Sequence, residues 1–383
     1  MRKEIYLDNA ATTKVDERVL KEMSPYFDEK FGNASSVHAK GREAKEAMEK
    51  ARKIIAKSIN AKTNEIYFTS GGTEANNWAL KGLFFENKDK GKNHLITSKI
   101  DHDCVLNTCK WLETQGAEIT YLDVDSEGFI DLNQLKNSIT EKTILVSVIH
   151  GNNEVGTIQK MEEIGKICKE KNVLFHTDAC QSFTKTELDV KKMNLDLVTL
   201  NAHKIHGPKG VGALYVRDGV KITPFFHGGG HERKVRSGTE NVSGIVGFGK
   251  SVEIANEKDI KKMKILRDKL IEGILKIENV RLNGPVGDER LCNNINVSFN
   301  NIEGEAIGGY LEQKNILTST GSACASHSLE SSHVLKAIGL TPVESNSSIR
   351  ISISKFTTDE EVEYFLEVLP SIVNKLRRLS PLK

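Results

Sequence analysis

Over the first two thirds of the chain, short apolar runs alternate with longer stretches of helical spacing. Residues 66–69, 94–98, 119–122, 143–150, 173–178 and 196–200 read as strands, followed by V-G-A-L-Y-V at 211–216 and a run near 222–226. Ala44, Ala47, Met48, Ala51, Ile54, Ile55 and Ile59 share one helical face, and residues 31–36 before them, F-G-N-A-S-S, form a loop whose serines suit a helix cap. Further helices are expected from Glu74 onward, over D-H-D-C-V-L-N-T-C-K-W-L, and over 161–169. This alternation predicts an α/β fold whose mostly parallel central sheet is covered by helices on both faces.

The style changes after Gly249. An amphipathic helix over 259–277 carries Ile260, Met263, Leu266, Leu270 and Ile274, and strands are expected at 294–299 and 348–354. Thr358 and Glu361 have capping-box spacing and open a last helix with Val362, Phe365, Leu366, Leu369 and Val373 on one face. The expected division is a large α/β domain over 16–255 and a smaller α+β domain formed by 1–15 and 256–383.

Composition narrows the function classes. The chain has 383 residues and a formal charge of +2, so bulk electrostatics gives no reason to expect a nucleic-acid or membrane partner. The N-terminus lacks a hydrophobic signal core and no apolar run nears the ~20 residues that span a bilayer, so a cytoplasmic location is expected. Six cysteines are scattered without a C-x-x-C pair, which argues against a disulfide framework or structural zinc. Five have apolar or helical settings; Cys324, in a run of small and polar residues, does not.

In parallel sheets ligands sit beyond the carboxyl ends of the strands. Thr73, His102, Asn153, Asp178 and Lys204 each follow a predicted strand. Lys204 in A-H-K-I-H-G-P-K-G is, alone, as well read as a surface lysine in a Gly-Pro loop. The S-G-G-T turn before Glu74 suits an anion at a helix N-terminus, or is a tight turn only. Taken together, an imine-forming lysine, a carboxylate to keep a pyridine nitrogen protonated and a phosphate-holding turn are what a pyridoxal phosphate enzyme needs.

The strings Y-L-D-N-A-A-T-T, F-T-S-G-G-T-E-A-N-N, H-G-N-N-E-V-G, H-T-D-A-C-Q-S, A-H-K-I-H-G-P-K-G, H-G-G-G-H-E, R-S-G-T-E-N and S-T-G-S-A-C occur in order along nearly the whole chain. In them the sequence resembles the cysteine desulfurases of the NifS/IscS type, pyridoxal phosphate enzymes of the class V aminotransferase fold (fold type I, aspartate aminotransferase-like). The resemblance implies that Lys204 is the Schiff-base lysine, that Asp178 partners the pyridine nitrogen, and that Gln181 meets the phenolic oxygen with Asn153 beside it. It implies that His102 stacks on the ring and shuttles protons. Gly72, Thr73, Asn201 and His203 would hold the phosphate, joined by Thr239 from the second subunit of a homodimer. Asn33 and Arg350 would bind the substrate carboxylate. Asn201 departs from the family, which commonly has serine there.

The same resemblance makes Cys324 the nucleophile, on a long loop that swings between the active site and a sulfur acceptor, and a conceivable transient [2Fe-2S] ligand. The implied reaction takes sulfur from L-cysteine, leaves L-alanine and a Cys324 persulfide, and passes the sulfur to acceptor proteins such as an iron–sulfur scaffold or a tRNA-thiolation enzyme. Other enzymes of the fold, a selenocysteine lyase or an aminotransferase, are the alternative. A non-catalytic sulfur-trafficking scaffold is a third, which the presence of Lys204, Asp178 and His102 disfavours.

Overall fold

The computed structural model describes residues 4–320 and 331–380; Cys324 lies outside them. In chain order the strands are β1 (Ile5–Tyr6), β2 (Ile66–Thr69), β3 (His94–Ser98), β4 (Glu118–Leu122), β5 (Thr143–Ser147) and β6 (Leu174–Asp178). They continue as β7 (Leu197–Asn201), β8 (Gly212–Val216), β9 (Val280–Leu282), β10 (Asn294–Phe299), β11 (Ile316–Leu317) and β12 (Ser348–Ser352).

Seven strands form one sheet in the order β2-β8-β7-β6-β5-β3-β4. The run from β4 to β7 is parallel, and only β8 is reversed, pairing antiparallel with both β7 and β2. The mostly parallel α/β architecture is therefore as expected. Side chains alternate between two covered faces, as the two-residue period of a strand requires. Ile96, Val146 and Val198 enter the core beneath helices Ala39–Ser58 and Val242–Glu253, while neighbouring Leu95, Leu145 and Leu197 pack with Trp78 and Leu83 of helix Gly72–Asn87.

A separate core joins Ile5 and Leu7 to Leu266, Leu270, Ile295, Val297, Ile351, Phe365 and Leu369. It is built on the antiparallel sheet β12-β10-β9 and helices Glu257–Ile274 and Asp359–Leu379. The capping box is formed: Thr358 Oγ1 accepts from the Glu361 amide and the Glu361 carboxylate accepts from the Thr358 amide. The N-terminal strand joins this body because β1 pairs in parallel with β11, Ile5 opposite Ile316.

No strand forms at residues 222–226, contrary to expectation. Pro224 lacks an N–H to give a ladder, and Thr223 donates instead to the Gly82 carbonyl. The outer edge of β2 is occupied by side chains. Arg52 Nη1 donates to the Ile66 carbonyl, and the Glu232 carboxylate accepts from the Phe68 amide, each at 2.8 Å.

Candidate active site

The turn after β7 carries Lys204, and the N-terminal segment holds that turn. The Thr13 amide and hydroxyl both donate to the His203 carbonyl, at 3.0 and 2.8 Å, and Thr13 Oγ1 accepts from the His206 amide at 2.9 Å. Thr12 Oγ1 lies 3.1 Å from His203 Nδ1. These bonds fix the backbone on both sides of Lys204, which is half-buried. Burial, helped by the charges of Lys204 and other lysines, pushes the His203 imidazole down to about 4, so it is neutral at physiological pH.

Asp178 ends β6, next to β7, and is buried. Its Oδ2 accepts from Asn76 Nδ2 at 2.7 Å and its Oδ1 from the Cys180 amide at 2.9 Å. Both donors are neutral. A buried carboxylate held by neutral donors is set up to meet a cation brought by a ligand.

His102 caps helix Asp103–Glu113, its Nδ1 accepting from the Cys104 amide at 3.2 Å. The neutral ring therefore carries its proton on Nε2. Burial first, and then the positive charge of Lys204, lower its pKa below the usual histidine value. The Cys104 thiol lies 3.1 Å from His102 Nδ1 and 3.1 Å from Asn76 Nδ2, and burial pushes it up to about 12.

A cavity of about 110 Å3 at the carboxyl ends of the strands is lined by His102, Asn153, Gln181, Lys204, Glu154 and Arg350, among others. Gln181 Nε2 donates to the Ala10 carbonyl at 2.9 Å, drawing the N-terminal segment onto one wall. Arg350, almost fully buried on β12, donates through Nη2 to Asp8 at 2.9 Å and through Nη1 to the Asn153 carbonyl at 3.2 Å, while its Nε has no partner among the described residues. The Asn153 Oδ1 is likewise buried and unpartnered.

Gly72 and Thr73 open helix Gly72–Asn87, which lacks a side-chain cap at its N-terminus. A Cβ on Gly72 would fall 2.5 Å from Cys180 Sγ and 3.7 Å from Asn201 Nδ2. Asn201 is buried with an unpartnered Oδ1. Thr239 is exposed, in a segment anchored to the same helix by the Arg236–Glu74 ion pair at 2.8 Å. Asn33 is exposed in the loop before helix Ala39–Ser58, its Oδ1 accepting from the Ser35 amide, and it is not among the residues lining the Arg350 cavity.

The sequence pattern of the Aminotransferase class-V family matches residues 5–365. The chain belongs to the class-V aminotransferase family. Within it, a cysteine desulfurase IscS from Methanosarcina thermophila is 52% identical over 99% of this chain and 94% of that protein. One of the same name from Clostridium botulinum strain Hall is 51% identical over 100% of this chain and 97% of that protein. A solved NifS-like protein superposes with a TM-score of 0.91 at 42% identity, covering 98% of this chain and 100% of that one. The structure of SspA in complex with cysteine gives 0.83 at 40% identity over 93% and 100%.

Class-V aminotransferases of this kind work with pyridoxal 5′-phosphate, and the residues here fit that group. The helix start at Gly72 has no side-chain cap on its amides, which suits the phosphate, and the Asn201 Nδ2 donor stands beside it, 3.7 Å from where a Gly72 Cβ would fall. Asp178 offers a carboxylate without a cation of its own.

Sequence reasoning passed over several supporting residues. Asn76 holds Asp178, Thr12 and Thr13 hold the Lys204 turn, and Asp8 holds Arg350. Asn76 had left a signal, a polar residue among Ala75, Ala79, Leu80 and Leu83 on a buried helical face. Glu154, buried on the cavity wall and accepting from Ser332 Oγ at 2.6 Å, left none. Burial pushes its carboxyl pKa up.

Proposed function

We propose that this chain is a pyridoxal phosphate-dependent cysteine desulfurase that converts L-cysteine to L-alanine and collects the sulfur on Cys324. The observation that carries the reading is the convergence of Lys204, His102 and Arg350 on one cavity, with Asp178 on the strand next to that of Lys204. The cofactor, when bound, supplies an electron-withdrawing ring that makes the substrate Cα–H acidic. Lys204 Nζ would hold the cofactor and, once displaced by the substrate amine, would take the Cα proton. Asp178 would keep a proton on the ring nitrogen through its carboxylate. Arg350, pinned on one side by Asp8, turns its free Nε edge to the substrate carboxylate. His102, carrying its proton on Nε2, donates from that nitrogen at the reacting sulfur.

The bond changes balance without an outside oxidant or reductant. The Cys324 thiolate attacks the substrate sulfur, the C–S bond breaks, and protonation at carbon gives alanine and a Cys324 persulfide. The described cysteines support this choice of nucleophile. Burial raises the thiols of Cys104, Cys109, Cys168, Cys180 and Cys292 above their ordinary value, which disfavours the thiolate form.

Gly72, Thr73, Asn201 and His203 are proposed to hold the phosphate, Asn153 and Gln181 to meet the cofactor ring, and Asn33 to assist Arg350. Asn201 keeps a donor at Nδ2 where serine would offer a hydroxyl. Thr239, exposed here, would complete the phosphate site of a partner copy in a homodimer. The proposed division is 16–255 for cofactor binding, and 1–15 with 256–383 for the body carrying Cys324. Delivery to an iron–sulfur scaffold in the cytoplasm is the proposed use; no described helix is long and apolar enough to cross a membrane.

The test is incubation with L-cysteine, with alanine quantified and Cys324 examined by mass spectrometry. Alanine equimolar with sulfur transferred and a 32-dalton adduct at Cys324 (about one sulfur) are expected. Cys324→Ser keeps the visible cofactor band and forms no persulfide. Absence of alanine from the wild-type protein overturns the reading, and a persulfide persisting on the variant removes Cys324 from its role.

A further inference from the structure

A second cavity, of about 40 Å3, lies on the other side of Lys204, at the seam between the two hydrophobic bodies. One wall comes from the large sheet's body, with Lys185, Ile205, His206 and Ser251; the other comes from the smaller body, with Met263 and Asn293. Lys185 is the unusual member. It is buried, and its Nζ has no hydrogen-bond partner among the described residues.

An ammonium needs acceptors for three N–H bonds, and removing it from water without them costs several kcal/mol. The other charged groups at this cavity do not neutralise it. Lys204 adds a like charge when its amine is free and protonated. Lys355 is matched by Asp16 at 2.6 Å. Asp259 is half-exposed and its carboxylate accepts from Asn256 Nδ2 at 2.9 Å. His206 is pushed down to about 4 by burial and is neutral. Burial pushes the Lys185 amine down to about 8, so it is still mostly charged at neutral pH, and it lines the cavity as a buried cation. A single water needs about 10–15 Å3, so this cavity admits a small ion together with one water. The buried, unpartnered Asn293 Oδ1 would accept from that water.

We propose that a small monovalent anion, of the size of chloride, binds at Lys185 Nζ in this seam and bridges the two bodies behind Lys204. An ion that binds only where both walls are present favours the docked arrangement of the bodies, and so stabilises the folded protein by mass action. The cavity shares Lys204 with the proposed active site, but the binding of the ion does not require the cysteine chemistry.

Crystals of the full-length protein grown in sodium bromide test the site directly. An anomalous peak in contact with Lys185 Nζ is expected; density there of water strength and without anomalous signal overturns the proposal. In solution, melting in sodium chloride is compared with sodium gluconate at equal ionic strength. Chloride should raise Tm by roughly 2 °C, and Lys185→Met should abolish the difference. Equal Tm values for the wild-type protein in the two salts overturn the proposal even if the variant does not fold.

Discussion

The outer edge of β2 and the carboxyl ends of β6 and β7 both bury charge in the same sheet, and they treat it in opposite ways. At the β2 edge, Arg52 and Glu232 form two parallel hydrogen bonds of 2.8 Å, Arg52 Nε reaches Glu49 at 3.0 Å, and the guanidinium lies 4.5 Å from the centre of the Phe68 ring. The remaining capacity goes to the Ile66 carbonyl and Phe68 amide, so an edge that would otherwise recruit another strand is closed. Around the other place Asn153, Asn201 and, from β12 of the smaller sheet, Arg350 keep unpartnered atoms, and Asp178 meets only neutral donors. The complete pairing at the β2 edge suits a structural role, and the unpartnered atoms around the Lys204 cavity suit a ligand.

Three experiments would break or sharpen that contrast. The largest effect belongs to the unsatisfied side. Lys204→Ala should lower alanine formation by about 10³-fold or more and abolish the visible cofactor band, while the unfolding transition of the cofactor-free protein stays near wild type. A large loss of stability in that cofactor-free variant would place Lys204 with the structural charges.

Next, Arg52→Met leaves Glu232 buried without its cation. A loss of about 3–5 kcal/mol in urea unfolding is expected, with turnover per folded molecule little changed. Stability within ~1 kcal/mol of wild type would mean the edge clamp is relieved by water.

The smallest effect is a slope. His176 is buried, bonded to Ser147 and Thr199 at 2.8 and 3.0 Å, and burial pushes it down to about 4. Between the unfolded value near 6.5 and that folded value, the unfolded chain binds the extra proton. The neutral ring's contribution is thus complete above about 6.5 and is lost as pH falls toward 4. His176→Gln should flatten the acid side of the stability profile by up to ~1.4 kcal/mol per pH unit, whatever its constant offset. An unchanged slope would show that the imidazole is not the titrating group. Asp101, which burial pushes up to about 7, acts in the opposite direction and is common to both proteins.

Much of this contrast is legible along the chain, and the reasons differ by residue. Strands such as β3 and β10 match their expected bounds because a continuous apolar run between turn signals has few other uses. The gathering of Lys204, Asp178 and His102 at one end of the sheet was legible because each lies at or just past the end of a strand, and strand ends converge in a parallel sheet. The edge clamp was not: Arg52 and Glu232 lie far apart in the chain, and only the folded sheet brings them together. Helix Val242–Glu253 was hidden by its glycines, which weaken helical spacing. They serve close approach instead, since a Cβ on Gly249 would fall 2.6 Å from the Ala51 Cβ. The run at 222–226 misled because its backbone is spent on helix Gly72–Asn87 and on Val235, through Thr223 to Gly82 and Phe225 to Val235, contacts that only the folded chain brings together.

The pairing of Ile5 with Ile316 has a consequence for how the polypeptide is made. A ribosome extends a chain at about 5–20 residues per second, so β1 emerges roughly 15–60 s before β11 exists to receive it. During that interval the first sheet can assemble, but the turn bearing Lys204 depends on Thr12 and Thr13, just downstream of the still unpaired strand. Cofactor capture should therefore be a late event in biogenesis, completed only after the last third of the chain has been synthesised.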